Sequence, residues 1–166
     1  IDYMLDRLPA LYEDSGVPIE VFRAVRATGC TVPKDFDRRL RAVQTFRDRP
    51  EAEALAAANK RVGNILAKAD SPVTSVVSTD LLVESAEIDL NALISRVGED
   101  NARDLARADY DAALSRLAGL RDHVDRFFDE VMVNADDQAL RNNRLALLAG
   151  LRAQFVAIAD ISQLAA

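Results

Sequence analysis

Apolar residues recur every three or four positions along most of this 166-residue chain, the period of helices buried on one side, and not the two-residue alternation of a strand. Tyr3, Leu5, Leu8 and Leu11 predict a first helix that passes Pro9 as a kink or a restart and ends at Gly16 and Pro18. A second follows from Pro18 to about Ala27, with Gly29 as its C-terminal cap. Phe36, Leu40, Val43 and Phe46 mark a third over residues 33–49, stopped by Pro50, and an alanine-rich fourth covers residues 51–69. Residues 70–80 break every period with Ser71, Pro72, Thr74, Ser75, Ser78 and Thr79, so a loop is expected there. A helix over 85–97 is expected to end at Gly98. Tyr110, Leu114, Leu117, Leu120, Val124, Phe127 and Val131 then read as one long helix that tolerates Gly119. Phe127, Phe128, Val131 and Met132 form its terminal stripe; Leu140, Leu147, Leu148, Leu151, Phe155 and Ile158 form the stripe of a last helix, reached through the polar break at Asn134, Ala135, Asp136 and Asp137.

The residues available for the core agree with that pattern. Hydrophobic residues make up 49% of the chain but aromatic ones only 5%, with no tryptophan, so the interior must be aliphatic side chains packed between helices. The expectation is one all-α domain spanning residues 1–166, a bundle of about seven helices, large enough to bury a core without disulfides or metals. Cys30 stands alone, which excludes a disulfide framework and a multi-cysteine zinc site and suits a reducing, cytoplasmic setting. No apolar run has bilayer length, so no membrane partner is expected. The chain begins at Ile1 without an initiator methionine or a leader pattern, which reads as a piece of something longer.

Candidate chemistry is sparse on the catalytic side. His123 falls on a polar helix position and Cys30 has no histidine partner, so neither reads as a base or nucleophile. Neither a GxxxxGK[ST] loop nor a GxGxxG turn is present, so no nucleotide cofactor is expected on these residues.

Cationic clusters are more informative. On the fourth helix, Leu55, Ala58, Val62, Ile65, Leu66 and Ala69 project to one side, and Lys60, Arg61, Asn64 and Lys68 to the other. Such a ridge is either a solvated face or an RNA contact in which Lys and Arg hold phosphates and Asn reads an unstacked base edge. Asn59, at the edge of the apolar side, is a candidate for capping or bridging backbone. Arg141, Asn142, Asn143 and Arg144 form a second cluster. Arg144 falls within the apolar stripe and must be paired, with Asp125, Asp129 or another acid of the preceding helix as the expected partner. Arg141 and Asn142 are left as contact candidates. In the third cluster Lys34, Arg38, Arg39 and Arg41 interleave with Asp35 and Asp37, a pattern of intrahelical ion pairs that leaves Arg38 and Arg39 as secondary phosphate-contact candidates. A net charge of -6 opposes a broadly basic nucleic-acid module and requires any such contact to be local.

The wording FDRRLRAVQTF at 36–46, ANKRVGNIL at 58–66 and VDRFFDEVMVNADDQALRNNRLALLAGLRAQFVAIADIS at 124–162 resembles the C-terminal end of bacterial glycyl-tRNA synthetase beta subunits. That region is an all-helical anticodon-binding domain of the DALR type, also found in arginyl-tRNA synthetase. The resemblance implies that the chain recognises the anticodon arm of glycine tRNA, with Lys60, Arg61 and Asn64 toward it and Lys68, Arg141 and Asn142 as further candidates from their positions, and contains no catalytic centre. It further implies that ATP and Mg serve the alpha subunit, which attaches the glycine within a cytoplasmic assembly of two alpha and two beta chains. Gly63 departs from the small polar residue expected at its position. The competing reading is a helical protein-interaction module that docks onto the rest of the synthetase, and the acidic balance favours it.

Overall fold

A computed structural model describes residues 2–165, with side chains described from Arg7 onward; Tyr3 and Leu5, assigned above to the first apolar stripe, lie outside the described side chains. Among the described residues there are eight α-helices and no strand: α1 (Asp2–Asp14), α2 (Ile19–Arg26), α3 (Pro33–Arg47), α4 (Ala52–Ala67), α5 (Ser85–Ala106), α6 (Tyr110–Ala118), α7 (Arg121–Glu130) and α8 (Gln138–Val156). Short 3-10 turns lie at Thr79–Leu81 and Ile161–Leu164. The helix assignment runs through Pro9 and closes where Gly16 takes φ 84, letting the Val17 amide donate to the Tyr12 carbonyl at 2.9 Å.

α8 is the central element. It packs on α4 and α5 and buries Ala146, Leu147, Leu148, Leu151 and Phe155, each large side chain among them contributing about 1.5–3 kcal/mol. The chain after it tucks Ile158, Ala159 and Ile161 fully inside, and the Asp160 amide donates to the Ala24 carbonyl of α2 at 2.8 Å. On the other side α5 packs against α6, α7 and α8, and α3 packs against α6 and α2.

Two expected boundaries are corrected. Gly98 does not end its helix, and α5 continues to Ala106. A Cβ at Gly98 would lie 3.0 Å from Nε2 of Gln154, so the glycine lets α8 pass close by without interrupting α5. At Gly119, conversely, the expected single helix divides into α6 and α7. The amides of Gly119 and Leu120 donate three residues back, to Arg116 and Leu117, instead of four. That tightening turns the chain at a corner where Leu120 is wholly buried. The stripe of apolar residues persists across the corner, so its period alone does not reveal the bend. Met132, placed above in that stripe, is 71% exposed, because α7 has already ended at Glu130.

Candidate nucleic-acid interface

The fourth helix carries the ridge where the periodicity predicts it. Leu55, Ala58 and Val62 are buried, Ile65, Leu66 and Ala69 partly so, and Lys60, Arg61, Asn64 and Lys68 are exposed. Asn59 is buried and its Nδ2 donates to the Leu55 carbonyl at 2.9 Å, bridging neighbouring backbone. Gly63 faces α8: a Cβ there would lie 3.3 Å from Nη1 of Arg152, whose guanidinium also reaches the Asn59 carbonyl. The residue that departs from the expected small polar type is therefore a point of close helix approach.

Partly buried Ile65 marks the edge of the apolar side, next to the ridge that carries Arg61 and, just past the helix end, Lys68. The Arg61 guanidinium lies 4.2 Å above the half-buried Phe128 ring of α7, a contact that holds a long side chain in place. Phe127 beside it is core, and Phe128 is the platform. A groove of about 520 Å³ opens between the end of α4, residues 69–74, the link 133–134 and the first turns of α8. Lys68 borders it from one side and Arg141 and Asn142 from the other; Ile65, Val133 and Leu145 are among its apolar walls. Two clusters that are more than seventy positions apart in sequence thus meet at one opening.

The Arg141 to Arg144 run divides between surface and interior. Arg141 is half-exposed and Asn142 exposed. Arg141 Nη2 donates to Oε1 of Gln138 at 2.7 Å, and Gln138 Nε2 donates to Oδ1 of Asn142 at 3.4 Å. Asn143 is buried and closes a pair of bonds with Ser78, accepting from its amide at 2.8 Å and donating to its carbonyl at 3.1 Å. Arg144, only 6% exposed, pairs through Nε with Oε1 of Glu87 at 2.8 Å, and its Nη1 donates to the Met132 carbonyl at 2.7 Å. Its partner is therefore on α5, not Asp125 or Asp129 of the preceding helix. Glu87 is completely buried and its other oxygen accepts from the amides of Val83 and Glu84 at 3.2 and 2.9 Å, closing the capping box of α5. Periodicity placed Arg144 inside but could not select an acid 57 positions away.

The α3 cations are arranged differently. Arg39 is engaged on every side: Nε meets Asp35 at 2.8 Å, Nη1 donates to the Ala157 and Ile158 carbonyls at 2.8 Å each, and the guanidinium lies 4.5 Å over the Tyr110 ring. It ties the C-terminal turn to α3, so the guanidinium expected as a phosphate contact is occupied within the fold. Arg41 pairs with Asp37 at 2.9 Å, while Arg38 and Lys34 are exposed. Burial pushes the Asp35 carboxyl upward, but bonds from the Tyr110 hydroxyl, Arg39 and the Cys30 thiol outweigh it and hold the group below its usual 3.8. Burial raises the Cys30 thiol pKa, and its Sγ donates to Asp35, the reverse of nucleophile activation. His123 is half-buried rather than superficial. Among the described residues no group of His, Cys, Asp or Glu could hold a metal, and no helix is long and apolar enough to cross a membrane.

The chain is 54% identical over 164 residues to the glycine--tRNA ligase beta subunit of Pseudomonas aeruginosa, and 52% identical to those of Marinobacter nauticus and Vibrio cholerae. These matches cover 99% of the chain and 24% of each relative, so the chain spans about a quarter of their length. A model of the DALR anticodon binding domain matches residues 55–161, from the start of the α4 ridge through α8 to the buried C-terminal turn. With most of its length in that match, the chain belongs to the DALR anticodon binding domain family.

Proposed function

We propose that this chain is the tRNA-recognition domain of a glycyl-tRNA synthetase beta subunit and that it binds the anticodon arm of glycine tRNA. The observation that carries the reading is the groove at which Lys68, just past the end of α4, meets Arg141 and Asn142 of α8, with Lys60, Arg61 and Asn64 exposed along the preceding turns of α4. Cations on such a face hold phosphates and fix the arm, while the amides discriminate bases that have left the stack. The domain binds and orients; attachment of glycine, with its ATP and Mg, belongs to an alpha subunit in the assembled cytoplasmic enzyme. Arg38, exposed at the start of α3, is a peripheral phosphate contact at most, and Arg39 is excluded by its internal bonds.

A salt titration of binding to glycine tRNA, with an anticodon-altered tRNA as control, tests the reading. Affinity should fall steeply with salt, and the altered tRNA should bind more weakly at every salt concentration. Equal affinity for both tRNAs, or no retention at low salt, would remove it.

A second reading is supported by Val83, Ile88 and Met132, apolar and exposed by 61, 47 and 71%. The backbones of Val83 and Met132 are tied to one ion pair, Glu87 accepting from the Val83 amide and its partner Arg144 donating to the Met132 carbonyl, and Ile88 follows Glu87 in α5. Such a patch fits docking onto the rest of the synthetase. It does not compete with the RNA face; changing Met132 and Val83 to Ser should weaken assembly and leave tRNA affinity unchanged.

A further inference from the structure

We infer that the groove between α4 and α8 is a seat for one unstacked nucleobase of a single-stranded RNA loop, with Lys68 and Arg141 holding its flanking phosphates. The inference rests on the proposed RNA-binding role and assigns the recognition step within it to a particular cavity. About 520 Å³ is within the range of pockets that enclose a small ligand. Its walls are of two kinds. Ile65, Val133 and Leu145 offer apolar surface to the faces of a planar ring, and Asn134, Gln138 and Asn142 offer amides to its edge. No aromatic side chain lines it, so a base would be held by aliphatic contact and edge bonding rather than by stacking.

The seat is also pre-arranged. Arg141, Gln138 and Asn142 are bonded in a row, Arg141 to Gln138 and Gln138 to Asn142. That row occupies Oδ1 of Asn142 with a neighbour and directs its amide N–H groups elsewhere. Directly behind it, Arg144 anchors the Met132 carbonyl next to Val133 and Asn134, and Asn143 clamps Ser78 at the end of the loop that forms the opposite wall. One turn of α8 therefore presents two residues to the groove and uses the next two to hold its walls. Asp70 also lines the opening and opposes a phosphate there, which places the phosphates on the Lys68 and Arg141 rims and away from residue 70.

The test is an anticodon stem-loop carrying 2-aminopurine at each loop position in turn, titrated with the parent chain and with two double variants. Binding to the parent should raise the emission several-fold at one position only, where the base leaves the stack. Gln138→Ala with Asn142→Ala should abolish discrimination against a changed base at that position, a loss of about five- to a hundredfold, with the salt dependence retained. Lys68→Ala with Arg141→Ala should lower the salt dependence and affinity for all loops alike. If the parent binds and discriminates but emission rises nowhere, or the amide variant discriminates as the parent does, the groove assignment fails while the RNA-binding reading stands. If the parent binds no stem-loop, both fail.

Discussion

The cationic clusters of α3 and α4 differ in their charge neighbours. In α3 two of the arginines have an aspartate four positions earlier, Asp35 before buried-side Arg39 and Asp37 before exposed Arg41, and the pairs form at 2.8 and 2.9 Å. In α4 no acidic residue stands three or four positions from Arg61 or Lys68, and both reach outward, toward Phe128 and the groove. Arg39 is further drawn inward because the C-terminal turn presents two carbonyls to it. The difference teaches that a count of Lys and Arg says little about nucleic-acid binding. Their charge neighbours and unpaired backbone groups nearby decide whether a guanidinium is structural or available.

The sharpest way to break this contrast is to unmake an inward arginine. Arg144→Ala leaves the carboxylate of Glu87 buried without its partner, and a loss of about 3–5 kcal/mol is expected. Urea unfolding checks it, and a midpoint equal to the parent's would refute the inward role. Arg39→Ala should cost about 2 kcal/mol through its lost bonds to Asp35 and the two carbonyls, without changing tRNA affinity. The same site gives a pH dependence. The Asp35 pKa is lowered in the folded chain, so its contribution is complete above the usual carboxylate value of 3.8 and is lost as pH falls below it through the folded value. Arg39→Ala should therefore flatten the acid limb of stability against pH, and an unchanged limb would exclude the linkage.

On the outward side, Lys60→Ala with Arg61→Ala should weaken tRNA binding by about 1–2 kcal/mol and lower the logarithmic salt slope by about 1.4 to 1.8. Circular dichroism should be unchanged, and an unaltered dissociation constant would deny the ridge its role. The smallest effect is expected at Gly63. A methyl there must displace the Arg152 guanidinium, a flexible end, by a few tenths of an ångström, so Gly63→Ala should shift stability by under about 1 kcal/mol, offset by the better helix propensity of alanine. A larger loss would mean that Arg152 cannot move.

Much of this was legible in the residues alone. Phe36, Leu40, Val43 and Phe46, and likewise Leu147, Leu148, Leu151 and Phe155, are buried as their spacing requires, because burial on a helix follows its period. The exposure of Lys60, Arg61, Asn64 and Lys68 followed from the same projection. The two glycine boundaries were not legible, since Gly98 and Gly119 sit in equally periodic surroundings. Only Gln154 crossing at one and the three-residue hydrogen bonds at the other distinguish them.

What the sequence by itself determined is the set of local properties: helical class, buried faces, the outward ridge of α4, the inward placement of Arg144 and the membership carried by the wording of its motifs. What only the tertiary structure decided is pairing at a distance. Glu87 rather than an acid of α7 neutralises Arg144, Phe128 supports Arg61, and Lys68 shares a groove with Arg141 and Asn142. The physical reason is range. Helix periodicity orders neighbours within a few turns, whereas the meeting of α4, α5 and α8 depends on how several helices pack into one core at once, and no single stretch of sequence encodes that.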